Sequence, residues 1–124
     1  MSKHYRASLN ASRAGYLFIC LLLVTGCSHM SSAESELFYA AGGGDLPRAK
    51  AAIEAGANPN VREDEREDTP LMRAAANSHA KMVRYLLDHG ADPKLRNEND
   101  SAALDMTTDP ALKRMLINGA RKTQ

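Results

Sequence analysis

The clearest hydrophobic pattern in the chain lies between Thr69 and Arg96. Thr69 and Pro70 suit a helix start, because a threonine hydroxyl can cap a helix and proline lacks the N–H that would be unsatisfied in the first turn. A second group of apolar residues has the spacing that stacks side chains on one helical face: Met82, Val83, Leu86 and Leu87. Gly90 ends this second pattern. The segment is therefore predicted to be two helices joined by a turn.

The same pattern recurs on both sides of this segment, at a period of about 33 residues. The matching segments are Ala40-Ala41 with Ala74-Ala75, Gly56-Ala57-Asn58-Pro59 with Gly90-Ala91-Asp92-Pro93, and Thr69-Pro70-Leu71 with Ala102-Ala103-Leu104. One such unit is too small to bury its own apolar face, so neighbouring units must cover one another. The pattern predicts three units stacked side by side.

The central unit closely resembles an ankyrin repeat, in the order of Thr69-Pro70-Leu71, Ala74-Ala75, Leu86-Leu87 and Gly90-Ala91-Asp92-Pro93. The resemblance implies an all-α solenoid of about three helix–turn–helix repeats with short hairpin fingers. The domain would span residues 33–122, with repeats at about 33–64, 65–97 and 98–120. Met72 departs from the family, which has a histidine there, and the substitution predicts a less constrained turn.

Local signals mark where the other helices begin. Ser31 with Glu34 three residues later is typical of a capping box. Asp45 can cap a second helix that has Pro47 in its first turn, and Thr108 or Asp109 can cap a last helix before Pro110. The last helix has basic residues on its outer side, as a solubilising terminal repeat requires.

The first 33 residues differ from the rest, because every Asp and Glu lies at or after Glu34. Three basic residues, Lys3, Arg6 and Arg13, precede an apolar run over residues 16–24, which is typical of a secretion signal. The run is about half as long as the roughly 20 residues that a transmembrane helix needs. A signal peptide is therefore predicted rather than a membrane-spanning helix.

The apolar run ends in Leu23-Val24-Thr25-Gly26-Cys27, which resembles the bacterial lipobox. The resemblance implies a lipoprotein signal peptide over residues 1–26, with diacylglycerol and palmitate on Cys27 and a flexible tether over residues 27–32. An ordinary secretory signal is the alternative. In bacterial lipoproteins a residue other than Asp after the cysteine, here Ser28, implies sorting to the outer membrane. A domain that faces the periplasm is expected, and exposure on the outside is the alternative.

Charge and cysteine content limit the partners. The chain has 16 Lys and Arg against 15 Asp and Glu, and loss of the three bases in the signal leaves 13 against 15. No basic stripe remains, which argues against a nucleic-acid partner. The chain has 2 cysteines. Cys20 would leave with the signal and Cys27 would carry the lipid, so no disulfide is expected and stability must come from packing.

The loop over residues 58–68, the first finger, is one residue longer than the repeat period requires and holds five carboxylates against two arginines. The second finger covers residues 98–100. The resemblance implies that a protein partner contacts the fingers and the concave face. The excess of carboxylates on the first finger favours a partner with a basic patch. The predicted partner-binding residues are Arg62, Glu63, Asp64, Glu65, Arg66, Glu67, Asp68, Arg73, Asn77, Arg96, Asn99 and Asp100. The alternative is a solvated loop whose charge only keeps the protein soluble.

Catalytic signatures are missing from the sequence. There is no nucleophile elbow, no His-Glu-x-x-His zinc pattern and no calcium loop. His79 and His89 lack the spacing of a shared helical face, and His79 falls where the family has a structural histidine. Asp105 and Asp109 form a conceivable carboxylate pair, but Asp109 has a capping role to fill. No enzyme activity, cofactor or metal is expected.

The predicted function is protein binding by an envelope-anchored repeat domain, with a scaffold or accessory role for an envelope enzyme. The alternative is an immunity or inhibitor protein that neutralises an envelope-acting toxin such as a secreted phospholipase effector, because ankyrin-like lipoproteins of this size occur beside such effectors. The sequence does not separate these two roles.

Overall fold

The computed structural model describes residues 29–123, and over this range the chain is entirely helical apart from its loops. Five α-helices and one 3-10 helix follow in order: α1 Ser32–Gly43, α2 Leu46–Glu54, α3 Pro70–Ala76, α4 Ala80–Asp88, the 3-10 helix Ala103–Met106, and α5 Pro110–Lys122. The predicted all-α stack of three units is confirmed. The predicted signal peptide over residues 1–26 and the lipidation site Cys27 lie outside the described residues.

The first two helices begin as their sequences predict. The Ser31 hydroxyl accepts a hydrogen bond from the Glu34 N–H at 3.2 Å, and the Glu34 carboxylate accepts one from the Ser31 N–H at 2.8 Å. This is the predicted capping box. Asp45 caps α2 by accepting from the Arg48 N–H at 3.2 Å. Local sequence alone therefore sets the first unit's helix starts.

The start of α3 differs from the prediction for Met72. Thr69 caps the helix, since its hydroxyl accepts from the Met72 N–H at 3.3 Å. The Met72 sulfur lies 3.5 Å from the Thr69 backbone nitrogen and accepts its N–H. Sulfur is a weak acceptor, but it takes the place that a glutamate carboxylate has in a capping box. The turn is thus tied on both sides, and the expectation that Met72 leaves it less constrained is wrong.

The third unit is shortened, because its first helix is a single 3-10 turn. Ala102 stands where Thr69 caps the central unit and has no side-chain oxygen. Asp105 takes the position of Met72, and its carboxylate accepts from the Ala102 N–H at 2.9 Å. Asp109, rather than Thr108, caps α5 and accepts from the Ala111 N–H at 2.8 Å. Both carboxylates of the conceivable catalytic pair therefore serve as caps.

The core runs the length of the stack and is sealed between neighbouring units. α1 packs on α2 and α3, and α3 packs on α4 and the 3-10 helix. The inner helices approach closely through alanines that are almost fully buried: Ala40, Ala41, Ala74 and Ala75. Larger side chains fill the layer below: Leu37, Leu71, Met82, Leu86, Leu112 and Leu116. Each unit thus depends on its neighbour for burial of its apolar face.

Helix length bears on membrane insertion. Over residues 29–123, every helix is too short or too polar to cross a bilayer.

Candidate partner-binding surface

The two fingers are closed by backbone hydrogen bonds and share a left-handed residue. The Glu63 N–H donates to the Asp68 carbonyl at 3.0 Å, and the Asn97 N–H donates to the Ser101 carbonyl at 3.0 Å. The residue before each closing carbonyl has a positive φ, 56° at Glu67 and 58° at Asp100. The first finger therefore holds its extra residue between Glu63 and Glu67, as the repeat period predicts.

The fingers are joined to each other. The Glu98 N–H donates to the Arg66 carbonyl at 3.0 Å. The Asn97 amide donates to the Asp68 carboxylate at 2.7 Å, and its oxygen accepts the N–H groups of the residues at positions 99 and 101, each at 3.0 Å. This network fixes the position of one finger relative to the other. A partner therefore meets loops that need little further ordering.

Asp68 differs from the rest of the predicted partner-binding set. It is 7% exposed, and its carboxylate is bonded to Asn97 in the interior. Its role in the structure is to fasten the fingers together. Glu63 and Arg73 are half-buried, and the other predicted residues are exposed: Arg62, Asp64, Glu65, Arg66, Glu67, Asn77, Arg96, Asn99 and Asp100.

One side of the first finger forms a recess of about 340 Å³ with the start of the first unit. We refer to it as the acidic recess, and its principal residues are Tyr39, Glu63, Asp64 and Glu65. Tyr39 is 68% exposed, although it is a large aromatic residue. His29 also lines the recess, and its Nδ1 lies 3.3 Å from the Asp64 carboxylate. The structure thus brings an exposed ring to three of the predicted carboxylates.

Sequence reasoning missed Tyr39. Its neighbour Phe38 is buried with Leu37 on the apolar face of α1, at 5% exposure. The two rings meet edge to face, with centroids 6.1 Å apart. The sequence carried no clear signal for Tyr39, since adjacent residues such as Leu37 and Phe38 are both buried in the same helix. Which loop Tyr39 would meet was not visible from the sequence.

The other side of the first finger faces the concave surface and has basic side chains. A recess of about 300 Å³ there, the basic recess, is lined by Arg66 and Arg73, with Asn99 of the second finger and the buried Asp68, whose carboxylate is bonded to Asn97. The Arg73 guanidinium lies 5.0 Å from the centroid of the Phe38 ring, within the range of a cation–π contact. The first finger therefore separates two recesses of opposite charge.

Several predicted partner-binding charges pair within their own finger. Arg62 lies 3.2 Å from the Glu67 carboxylate, and Arg96 lies 3.7 Å from the Asp100 carboxylate. All four side chains are largely exposed, and such pairs contribute little to stability. The carboxylates of the acidic recess, Glu63, Asp64 and Glu65, take part in neither arginine pair, and His29 lies beside Asp64.

Asn77 lies at the opposite end of the inner helix from the fingers. Its side-chain amide donates to the Gly42 carbonyl at 2.9 Å, and the His79 Nε2 donates to the same carbonyl at 3.0 Å. The predicted structural hydrogen bond of His79 is confirmed. Asn77 and His79 together satisfy a carbonyl at the end of α1, where the helix leaves its last carbonyls without partners of their own.

The surface has the geometry of an interaction module. Its recesses are shallow and open, and within residues 29–123 no group of three or more His, Cys, Asp or Glu side chains is arranged to hold a metal ion. Stacked helix pairs with projecting, fixed fingers define a solenoid class of repeat protein that presents an extended concave face. This class serves recognition of other proteins.

Within that class the chain belongs to the ankyrin-repeat family. A family model described as ankyrin repeats (3 copies) matches residues 8–97. Repeats of this family typically mediate interactions between proteins. The match ends before the third unit, which is defined here by its packing against α3 and α4.

Curated relatives carry similar repeats within much longer proteins. The chain is 33% identical over 101 residues to ankyrin repeat and KH domain-containing protein mask-1 of Caenorhabditis elegans, a match covering 79% of this chain and 4% of that protein. It is 44% identical over 55 residues to the 2-5A-dependent ribonuclease of Homo sapiens, covering 44% of this chain and 7% of the relative. It is 41% identical over 54 residues to oxysterol-binding protein-related protein 1 of Mus musculus, covering 44% and 6%. The chain thus spans under a tenth of the length of these relatives.

Proposed function

We propose that this chain is an envelope-anchored ankyrin-repeat lipoprotein that holds one protein partner against its first finger. The observation that carries the proposal is the acidic recess, where an exposed Tyr39 ring stands beside the carboxylates of Asp64 and Glu65. An aromatic face and nearby carboxylates both attract a cationic group. The partner therefore presents a lysine or arginine to this recess.

The two recesses give the partner an orientation. A cationic group of the partner enters the acidic recess, while Arg66 and Arg73 offer N–H donors to a carboxylate or carbonyl on the concave side. Opposite charges on the two sides of one finger favour a single docking direction, since the reversed pose brings like charges together. The finger network limits the entropy lost on binding.

The lipid anchor would bring this site close to a membrane. Cys27 precedes His29 by two residues, which span at most about 7 Å of chain. Because His29 contacts Asp64, an acylated Cys27 would hold the acidic recess near the lipid surface. We infer that the partner is bound at the periplasmic face of the outer membrane, in a scaffold or accessory role.

Inhibition of an envelope-acting toxin is the second candidate role. A secreted phospholipase that reaches anionic lipid does so through a cationic face. The acidic recess favours the inhibitor role because it would bind and cover such a face. A deletion strain challenged with toxin-delivering siblings separates the two roles. Reduced survival that the wild-type gene restores supports immunity, and unchanged survival assigns the chain to the scaffold role.

Site-specific photocrosslinking in cells tests the proposed contact. A benzoylphenylalanine in place of Glu65 should yield one discrete adduct, which disappears when Tyr39→Ala or Asp64→Lys is added. The matched control carries the crosslinker at Glu54, an exposed carboxylate on α2 away from the recess. Identical adducts from both positions, or an adduct that survives both added substitutions, would remove the acidic recess from the proposal.

A further inference from the structure

A second concave surface lies at the end of the stack, on the third unit. We refer to it as the end groove; it has a volume of about 470 Å³, and its lining includes Lys94, Arg96, Leu104, Ile117, Ala120 and Arg121. Ile117 is 43% exposed, and among the described residues it and Tyr39 are the large apolar or aromatic side chains left exposed. An apolar surface rimmed by charged groups is typical of an interaction site.

The central unit shows what covers the counterpart of Ile117. Leu86 in α4 and Leu116 in α5 are both buried and lie at the same distance from the start of their helices. In this register Ile117 corresponds to Leu87. Leu87 packs so closely on the next unit that a β-carbon on Gly119 would come within 2.8 Å of its Cδ2. A helix bearing a small residue therefore fits over the Ile117 position.

Leu104 shows the same difference between an interior and an end position. It corresponds to Leu71, which follows Thr69-Pro70 in the central unit. Leu71 is 1% exposed because the third unit covers it, whereas Leu104 is half-buried and lines the end groove. The end groove is thus the surface on which a further unit would stack.

The end groove has a lysine, Lys94, at the position where the preceding repeat has the amide of Asn60. Asn60 and Lys94 occupy equivalent turns, since the N–H of each donates at 2.9 Å to the Asx side chain two residues earlier. The Asn60 amide joins its unit to the next one, donating to the Gly90 carbonyl at 3.0 Å and accepting the Asp92 N–H at 2.7 Å. Lys94 instead offers an ammonium group to whatever covers the end groove.

Two of the three cations of the end groove take part in no ion pair within the described residues. Arg96 bonds to Asp100 of its own finger. Lys94 and Arg121 form no ion pair with any other residue in the range 29–123. An occupant with carboxylates at matching positions would complete these charges.

We propose that the end groove binds an acidic helical segment of a partner protein. The segment places a Gly, Ala or Ser over Ile117, as Gly119 lies over Leu87, and it directs carboxylates to Lys94 and Arg121. This surface is separate from the acidic recess, which is built on the first unit and the first finger. The proposal therefore does not depend on the proposed function.

A second copy of the chain is the weaker occupant. The opposite end of the stack exposes small residues, with Ala33, Ala51 and Ala55 around a recess of about 410 Å³. Its central charges are Glu36 and Arg48, which pair with each other and leave no net negative charge for Lys94 to meet. End-to-end stacking would also leave a free end on every copy and form open chains rather than a closed oligomer.

A displayed library of helical peptides, selected on the full-length chain and counter-selected on Ile117→Glu, tests this proposal. The recovered peptides should be rich in Asp and Glu around a central small residue. Their affinity should fall at least tenfold with Lys94→Glu combined with Arg121→Glu, and should persist with Ile117→Leu. Glu54→Lys, at an exposed position on α2, is the matched charge control and should leave the affinity unchanged.

Three outcomes would overturn the proposal. These are recovery of basic peptides, absence of any peptide that distinguishes the wild type from Ile117→Glu, and concentration-dependent self-association that Ile117→Glu abolishes. The last result would assign the end groove to a second copy. Circular dichroism and thermal melting of each variant verify that the fold is retained, which the partial exposure of Ile117 favours.

Discussion

The imidazole ring of His79 lies against Gly44 so closely that a β-carbon on Gly44 would come within 2.7 Å of its Nδ1. Gly44 also has a φ of 72°, in the left-handed region that side chains other than glycine rarely adopt. The two residues join the inter-helix turn of the first unit to the inter-helix turn of the second. His79 can donate to the Gly42 carbonyl because Gly44 leaves room for its ring.

Gly44→Ala is therefore expected to destabilise the protein by about 2 to 4 kcal/mol, since it combines backbone strain with a steric clash. Gly43→Ala is the matched control, because Gly43 lies within α1 and has no atom within 4 Å of a built β-carbon. It should be neutral or stabilise by up to about 1 kcal/mol. Urea unfolding of both variants measures the difference, and equal midpoints would contradict the role of His79 and φ at this position.

Adding His79→Ala to Gly44→Ala separates the two causes. The clash disappears in the double variant while the backbone strain remains. The loss in the double variant should thus be smaller than the sum of the two single losses by about 1 kcal/mol or more. Additive losses would show that the ring and Gly44 do not interact.

Asn97→Ala should cost about 2 to 4 kcal/mol of stability. It removes the donor to the buried Asp68 carboxylate and the acceptor that holds the second finger. Asn99→Ala, at an exposed position of the same finger, should change stability by less than about 0.5 kcal/mol. Thermal melting distinguishes them, since 1 kcal/mol corresponds to about 4 to 8 °C in a domain of this size. Similar melting temperatures would contradict the fastening role of Asn97.

Tyr85 should make stability fall at alkaline pH. Burial raises the pKa of the Tyr85 hydroxyl above its ordinary value of 10.0, and the Glu54 carboxylate raises it further. The unfolded chain ionises first, so the stability from this group is present below about pH 10 and is lost as pH rises through the folded pKa. Tyr85→Phe should reduce the fall of the melting temperature with pH between about pH 9 and 11. A fall as steep as that of the wild type would show that other groups cause it.

Cys27→Ala tests the anchor directly. The variant should leave the membrane fraction and lose labelling by a fatty-acid analogue, because the lipobox resemblance makes Cys27 the acylated residue. Cys20→Ala is the matched control, since that cysteine would be removed with the signal, and it should behave as the wild type. Membrane fractionation and labelling that persist in Cys27→Ala would exclude lipidation at this position.

The fold was largely predictable because its signals are local. Caps such as Thr69 and Asp45 act within three residues, and the apolar pattern repeats three times along the chain. The single 3-10 turn of the third unit was not predicted. There Ala102 lacks the hydroxyl with which Thr69 caps the central unit, the Asp105 carboxylate accepts only the Ala102 N–H, and the packing of the unit decides how far that helix extends.

The candidate surface was only partly predictable, because it depends on contacts between units. Asp68 stands in a run of acidic residues, yet Asn97 of the next unit draws it into the interior. Tyr39 belongs to the first unit, and the closed form of the first finger brings it to Asp64 and Glu65. The positions of Asp68 and Tyr39 both depend on how segments that are distant in the sequence align in space. No local sequence pattern encodes that alignment.

The two hydrogen bonds that join the fingers also define how the protein bears load. Because Arg66 is bonded to Glu98, and Asp68 to Asn97, a partner that pulls on the first loop pulls on the second as well. A force applied at one recess is thus transmitted to the second and third units, and the two fingers resist it together rather than separately.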